Sequence, residues 1–417
     1  MKNPIFDIDN WREITAMLSR NKTRTFLTAF GIFWGTAMLA MLMGGAQGVR
    51  GLMMRNFDGF ATNSAFIFSS NTTRAYKGYQ KGREWSLTQG DVDALRVGVP
   101  EIDAISGIVQ AGGAVSYRDK SYVNGNILGF TPDYYQVMEP MLIEGRLLNE
   151  SDEMQLRKNC LIGARVASEL FGTESPIGKY VQANNIYYHV VGVVRPRNDN
   201  INIGGNMEEM LMLPLAVMRQ NYNLGEKVYY VAFTVRDGCT PGKLRGRIKR
   251  ILQSRHTISP EDDEAVPYWD ISEDFEQVDG LFSGIDLLAI FVGFGSLLAG
   301  IIGVGNIMWI IVKERTQEIG IRRAIGARPR DIIAQILSEA VVLTTVAGVG
   351  GICFAVFILA VAGRLTAGPD GSEVSFQLAF STAFAILGVF LVLGMGAGII
   401  PAVKAMRIKP IEALNDN

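Results

Sequence analysis

The sequence predicts a membrane α-helical protein, with four transmembrane helices and both termini cytoplasmic, plus a large α+β extracytoplasmic domain of two lobes. Three observations lead there. Four apolar runs interrupt the 417-residue chain, and at about 1.5 Å of rise per residue each is long enough to cross a bilayer. Basic residues gather on one side of these runs. A long mixed-polarity stretch, residues 50–281, separates the first run from the other three.

Residues 1–24 read as a cytoplasmic amphipathic interfacial helix. Ile8, Trp11, Ile14 and Leu18 recur at helical spacing, and Arg12, Arg20, Lys22 and Arg24 flank them. The first span, 25–49, has no charge between Arg24 and Arg50. Its apolar core exceeds that of a signal peptide. Five basic residues before it place the N-terminus in the cytoplasm. Gly31 and Gly35, and Gly44 and Gly48, form GxxxG pairs, read as packing surfaces.

Residues 50–281 carry 25 basic and 29 acidic residues and lie outside the cytoplasm, in the periplasm of a bacterium with two membranes. Strand patterns fall at 65–69, 102–109, 187–194, 228–235 and 265–271. Helical patterns fall at 88–97, 164–170 and 241–253. Two strand–helix–strand halves around an inserted lobe at about 112–225 give an α+β domain.

The second, third and fourth spans fall at 282–312, 338–363 and 378–403. Between the third and fourth lies a short outer loop, 364–377, with one basic residue, and the tail, 404–417, carries Lys404, Arg407 and Lys409. Between the second and third lies the stretch Lys313–Asp331, with six basic and three acidic residues. So much Arg between two spans places the loop, 313–337, on the cytoplasmic side. The second span is expected to continue as a helix through Glu314, Arg315, Glu318 and Arg322, with Glu318 and Arg322 at ion-pair spacing. Gly326 and Pro329 then break it, and Asp331 caps the next helix. These features fit a lever with a tight corner, and equally a plain helical hairpin whose charges only set topology.

No engine is legible. The nearest approach to a phosphate-binding loop, Gly172–Tyr180, has five residues between its glycines and Tyr180 where Ser or Thr would hold Mg²⁺, so it reads as a turn. No kinase motif set, nucleophile elbow or HExxH helix appears. The carboxylates of Glu261–Glu264 read as a solvated loop or helix start rather than a cation site. His189 and His256 are far apart, and Cys160, Cys239 and Cys353 form no CxxC pair; a Cys160–Cys239 disulfide stays open. A net charge of −1 gives no field for nucleic acid. The span centres carry no ionisable residue, which argues against a proton- or sodium-coupled carrier. The expectation is therefore no catalytic residue, metal or cofactor on this chain, with energy arriving through a partner.

The stretch Glu314-Arg-Thr-Gln-Glu-Ile-Gly-Ile-Arg-Arg-Ala-Ile-Gly-Ala327, with Asp331 and Leu337-Ser-Glu339, resembles the signature of the MacB/FtsX-like ABC transporter permeases. The tail from Pro401 to Leu414 is similar to that family's closing motif. Leu87-Thr-Gln-Gly-Asp91, Gly129-Phe-Thr-Pro-Asp-Tyr134, Glu144-Gly-Arg146, Leu170-Phe-Gly172, Pro176-Ile-Gly-Lys179 and Val191-Gly-Val193 resemble its periplasmic core domain. The resemblance covers essentially the whole chain. It implies a dimeric permease, with a second copy or a paralogue, in the cell inner membrane. It also implies two cytoplasmic ABC ATPase subunits that bind ATP and Mg, and mechanotransmission in which ATP-driven closure moves the outer domains. The coupling residues it implies are Glu314, Arg315, Glu318, Gly320, Arg322, Arg323 and Gly326. The macrolide exporters of the family carry their ATPase before the first span. Only about 24 residues precede that span here, so the ATPase is expected on a separate chain. Efflux or export of a drug, peptide or other periplasmic substrate, through a periplasmic adaptor and an outer-membrane duct, is the leading expectation. A lipoprotein-releasing permease and a regulator of a cell-wall hydrolase are the alternatives.

Overall fold

The computed structural model describes residues 22–55, 57–123, 125–198, 203–366 and 376–405. The interfacial helix expected over residues 1–24 falls almost wholly outside the described residues, as do most of the loop 364–377 and the tail beyond Ala405. The chain divides into two compact units: Met53–Asp279, and Met1–Leu52 together with Gly280–Asn417.

In order, the elements are α1 (Lys22–Arg55), β1 (Ser64–Phe68), β2 (Leu87–Thr88), α2 (Gln89–Gly98), β3 (Ile102–Gly112), β4 (Val115–Tyr117), β5 (Lys120–Tyr122), β6 (Asn126–Phe130), α3 (Tyr134–Val137), β7 (Met141–Gly145) and α4 (Glu150–Met154). They continue as β8 (Asn159–Gly163), α5 (Ala164–Phe171), β9 (Tyr180–Ala183), β10 (Ile186–Arg195), β11 (Met210–Pro214), α6 (Leu215–Tyr222), β12 (Lys227–Val228), β13 (Tyr230–Val235), α7 (Pro241–Arg255) and β14 (Tyr268–Asp270). The helices α8 (Ile271–Glu314), α9 (Thr316–Ala324), α10 (Pro329–Leu365) and α11 (Phe380–Ala405) follow.

The unit 53–279 is built on one sheet in the order β14-β1-β13-β3-β6-β11-β8-β10-β9-β4-β5, with β7 on β10. Its central strands β1, β8, β11 and β13 read as continuous apolar runs because both of their faces are covered. In β13, Val231, Phe233 and Val235 join one core with Leu244, Ile248 and Leu252 of α7 and Val92 and Leu95 of α2. Tyr230 and Ala232 turn the other way, into a core with Phe66, Tyr134 and Leu161. A third core, around Ile162, Tyr188, Val190 and Leu211, belongs to the inserted lobe. The two lobes share the sheet: the long strand β3 pairs with β13 through its first half and with β6 through its second.

The cysteines stay free: Cys160 is buried in the third core, Cys239 packs on the first, and burial pushes the Cys160 thiol up. The run Glu261–Glu264 is not simply solvated. Asp262 is buried, and its carboxylate accepts hydrogen bonds from the Thr73 backbone and hydroxyl at 2.8 and 2.7 Å and from the Arg74 N–H at 3.1 Å. The turn at Gly172–Tyr180 is shaped by positive φ at Gly172 and Gly178, and Lys179 pairs with Glu174.

Among the described residues, four helices are long and apolar enough to span a membrane: Thr25–Arg55, Ile271–Glu314, Pro329–Leu365 and Phe380–Lys404. Their core runs through Ile32 and Ala40, Val304 and Met308, Ala347 and Ala355, and Phe390 and Ala397. Large apolar side chains such as Phe26, Phe291, Phe357 and Phe384 stay exposed, as lipid-facing residues do. Small residues set the helix approaches. A Cβ on Gly351 would lie 2.1 Å from the Thr36 hydroxyl and 2.4 Å from the Phe33 carbonyl oxygen, so α1 and α10 cross backbone to backbone. Gly35 and Gly44 also face neighbours closely, whereas Gly31 meets nothing within 4 Å.

Candidate functional site: the elbow between the second and third spans

The second span does not run on through Arg322 as a single helix. It ends at Glu314, Arg315 leaves the helical region (φ −104°, ψ 12°), and α9 starts at Thr316. At this joint the Thr316 hydroxyl donates to the carbonyls of Lys313 at 2.9 Å and Val312 at 3.3 Å. The backbone ladder continues across the joint, with the Arg315 N–H donating to the Ile311 carbonyl at 3.1 Å and the Ile319 N–H to the Arg315 carbonyl at 2.9 Å. The far corner is made by Gly326, at φ +102°, a conformation that favours glycine. Arg328 is extended because Pro329 follows it, and it, not Asp331, is the N-cap of α10. Asp331 instead occupies the first turn, where its charge complements the helix dipole.

The helix α9 is amphipathic. Ile319 and Gly320 are buried, and Ile319 joins Val312, Ile332 and Ile336 in the core. Above this floor lies a polar brace. The Arg322 guanidinium lies 2.7 Å from the Glu318 carboxylate and donates to Gln335 Oε1 on α10, also at 2.7 Å. Arg315 lies 3.7 Å from Glu318 and 3.4 Å from the buried Glu339 of α10. The three helices are therefore tied by charge-assisted contacts over an apolar floor, a more ordered arrangement than a flexible loop.

This geometry sorts the residues expected to couple. Arg315, Glu318, Gly320 and Arg322 face inward or along the brace. Arg323 is half-buried, while Glu314 and Gly326 are exposed. The outward ridge of α9 is formed by residues that charge-based reasoning passed over: Gln317, Ile321, Ala324 and Ile325, followed by Arg328. Ile325 is 82% exposed and Ile321 43%. A helical wheel of α9 carries the missed signal, since Ile321 and Ile325 are four apart and opposite the buried Ile319.

The fold and elbow define a multi-pass membrane protein whose spans carry a folded α+β domain between the first and second. The family model of the MacB-like periplasmic core domain matches residues 25–251, and that of the FtsX-like permease C-terminal region matches residues 290–410. The chain belongs to the MacB/FtsX-like ABC transporter permease family.

Among relatives, it is 28% identical over 404 residues to the macrolide export ATP-binding/permease protein MacB of Bdellovibrio bacteriovorus, covering 95% of this chain and 60% of that protein. It is 30% identical over 407 residues to the pyoverdine export ATP-binding/permease protein PvdT of Pseudomonas entomophila, covering 94% of this chain and 57% of the relative. The chain thus spans about three fifths of the length of the curated relatives it matches. Among solved structures, the periplasmic region of MacB from Actinobacillus actinomycetemcomitans aligns with 54% of this chain and 96% of its own. The sequence identity is 20% and the TM-score 0.43.

Proposed function

We propose that the chain is the permease of an export transporter in the cell inner membrane, and that it converts ATP hydrolysis by cytoplasmic ABC ATPase subunits into movement of its outer domains. The observation that carries this reading is the elbow: a braced corner that presents Ile321 and Ile325 outward while Glu318 and Arg322 stiffen it from within. A soft loop would absorb a push, whereas helices locked by ion pairs over an apolar floor transmit it. The basic residues of the elbow support a cytoplasmic position for it, with both termini on that side.

In this account the apolar ridge of α9 docks on the ATPase and the brace carries the load. The energy source is ATP and Mg held by the ATPase, with a second permease copy or paralogue completing the assembly. The family and the relatives' export names support efflux of a periplasmic substrate, with an adaptor and an outer-membrane duct as partners.

Isolation of the full chain from native membranes, with partners identified by mass spectrometry, tests the account. An ABC ATPase together with a periplasmic adaptor is the expected outcome. Recovery of lipoproteins or a cell-wall hydrolase in place of an adaptor would overturn the export assignment. Failure to recover any ATPase would overturn the coupling assignment.

A further inference from the structure

Away from the brace, the ends of the second and fourth spans enclose a second feature. Trp309, Val312, Lys313 and Thr316 on one side, and Pro401 and Lys404 on the other, line a cavity of about 360 Å³. Trp309 and Lys313 are four apart on α8 and share a face. The Lys404 ammonium group sits 3.7 Å from the centre of the Trp309 ring, stacked over its face. Among the described residues, no carboxylate lines the cavity. Among the described residues, neither Lys313 nor Lys404 has a carboxylate within ion-pairing distance. Two ammonium groups from different helices therefore share one recess without a counter-ion among the described residues. The recess lies where the spans end and an indole marks the membrane–water boundary, the depth at which phospholipid headgroups sit.

We propose that this recess binds the phosphate group of an anionic phospholipid, with Lys313 and Lys404 as the charge partners and the Trp309 ring as one wall. The acyl chains would lie along the exposed apolar surfaces of the spans. A phosphate anion satisfies both lysines at once; an apolar occupant does not, and in a zwitterionic lipid the headgroup's own ammonium competes with the lysines for that phosphate. The location at span ends favours a lipid over free phosphate, because a lipid brings its headgroup to this depth at high local concentration.

The test uses the full chain in a non-ionic detergent, with dioleoylphosphatidylglycerol or dioleoylphosphatidylcholine titrated in and bound lipid counted by native mass spectrometry. The expected result is a preference for phosphatidylglycerol. Lys313→Ala/Lys404→Ala should weaken its binding roughly thirtyfold, about fivefold per lysine, and leave phosphatidylcholine unchanged. Lys313→Arg/Lys404→Arg should stay within about threefold of the parent protein, showing that charge rather than fold is being read. Equal binding of the two lipids, or an alanine variant that holds phosphatidylglycerol as tightly as the parent, would overturn the proposal. Displacement of phosphatidylglycerol by equimolar inorganic phosphate would make the ligand a free phosphate and would also overturn it.

Discussion

The carboxylate of Glu318 lies 2.7 Å from the guanidinium of Arg322 one helical turn away, and the same guanidinium reaches Gln335 on the next helix. A pair of this kind on a helix surface contributes only about 0.3–0.5 kcal/mol to stability. Its value here lies in fixing the angle between α9 and α10. Glu318→Ala/Arg322→Ala should therefore insert normally and melt within about 2 °C of the parent protein, yet lose severalfold in ATPase stimulation. Undiminished substrate-coupled ATP hydrolysis in the double variant would remove the brace from the mechanism.

Arg315 acts differently, because its partner Glu339 is buried at the start of a span. A buried carboxylate that loses a cation is costly. Arg315→Ala should destabilise the helical unit by about 2–3 kcal/mol, read as a lower unfolding temperature in detergent. Arg315→Gln/Glu339→Gln should recover much of that loss, and a double variant as unstable as the single would show that the contact carries no weight.

A third expectation concerns the outer domain. Burial pushes the Asp91 carboxyl up, but hydrogen bonds from His256, Arg255 and Thr88 outweigh this and hold it at about 2. The folded value is thus below the unfolded one. The stability this group supplies is complete above the unfolded value of about 3.9, and it is lost as pH falls from there through about 2. Acid unfolding of the full chain followed by near-ultraviolet circular dichroism should show this loss, and Asp91→Asn should be less stable at neutral pH with a flatter profile between pH 4 and 2. Parallel acid profiles for the two proteins would contradict the assignment.

The crossing of α1 and α10 leaves no room at Gly351. Because the obstructing atoms include backbone, Gly351→Ala forces the helices apart and should cost about 1–3 kcal/mol. Gly31→Ala, which meets open space, should be close to neutral. Detergent-resistance or thermal-shift measurements on the two variants check the contrast.

Much of this architecture is legible in the residues. Spans are readable because a bilayer demands long apolar runs whatever their partners. The strands β1, β10 and β13 are readable because apolar, β-branched and aromatic residues cluster in them. The break at Arg315 was not legible. Glu, Arg and Gln all favour helix there, and no residue type at the joint signals a stop. The outward ridge was missed for a related reason: charge draws attention to Arg315, Glu318 and Arg322, whereas the tertiary fold consumes those charges internally and leaves Ile321 and Ile325 outside. Asp262 is a similar case, since four consecutive acids look solvated until Thr73 and Arg74, far away in sequence, supply the donors.

The central claim is that the outward ridge of α9 receives the ATPase. It is tested most directly by Ile321→Asp/Ile325→Asp in the full chain, comparing the amount of ABC ATPase that co-purifies from native membranes with that of the parent protein. Both side chains are exposed, so the variant should insert and melt like the parent while ATPase recovery falls at least tenfold. Undiminished recovery with a folded, inserted variant would contradict the account.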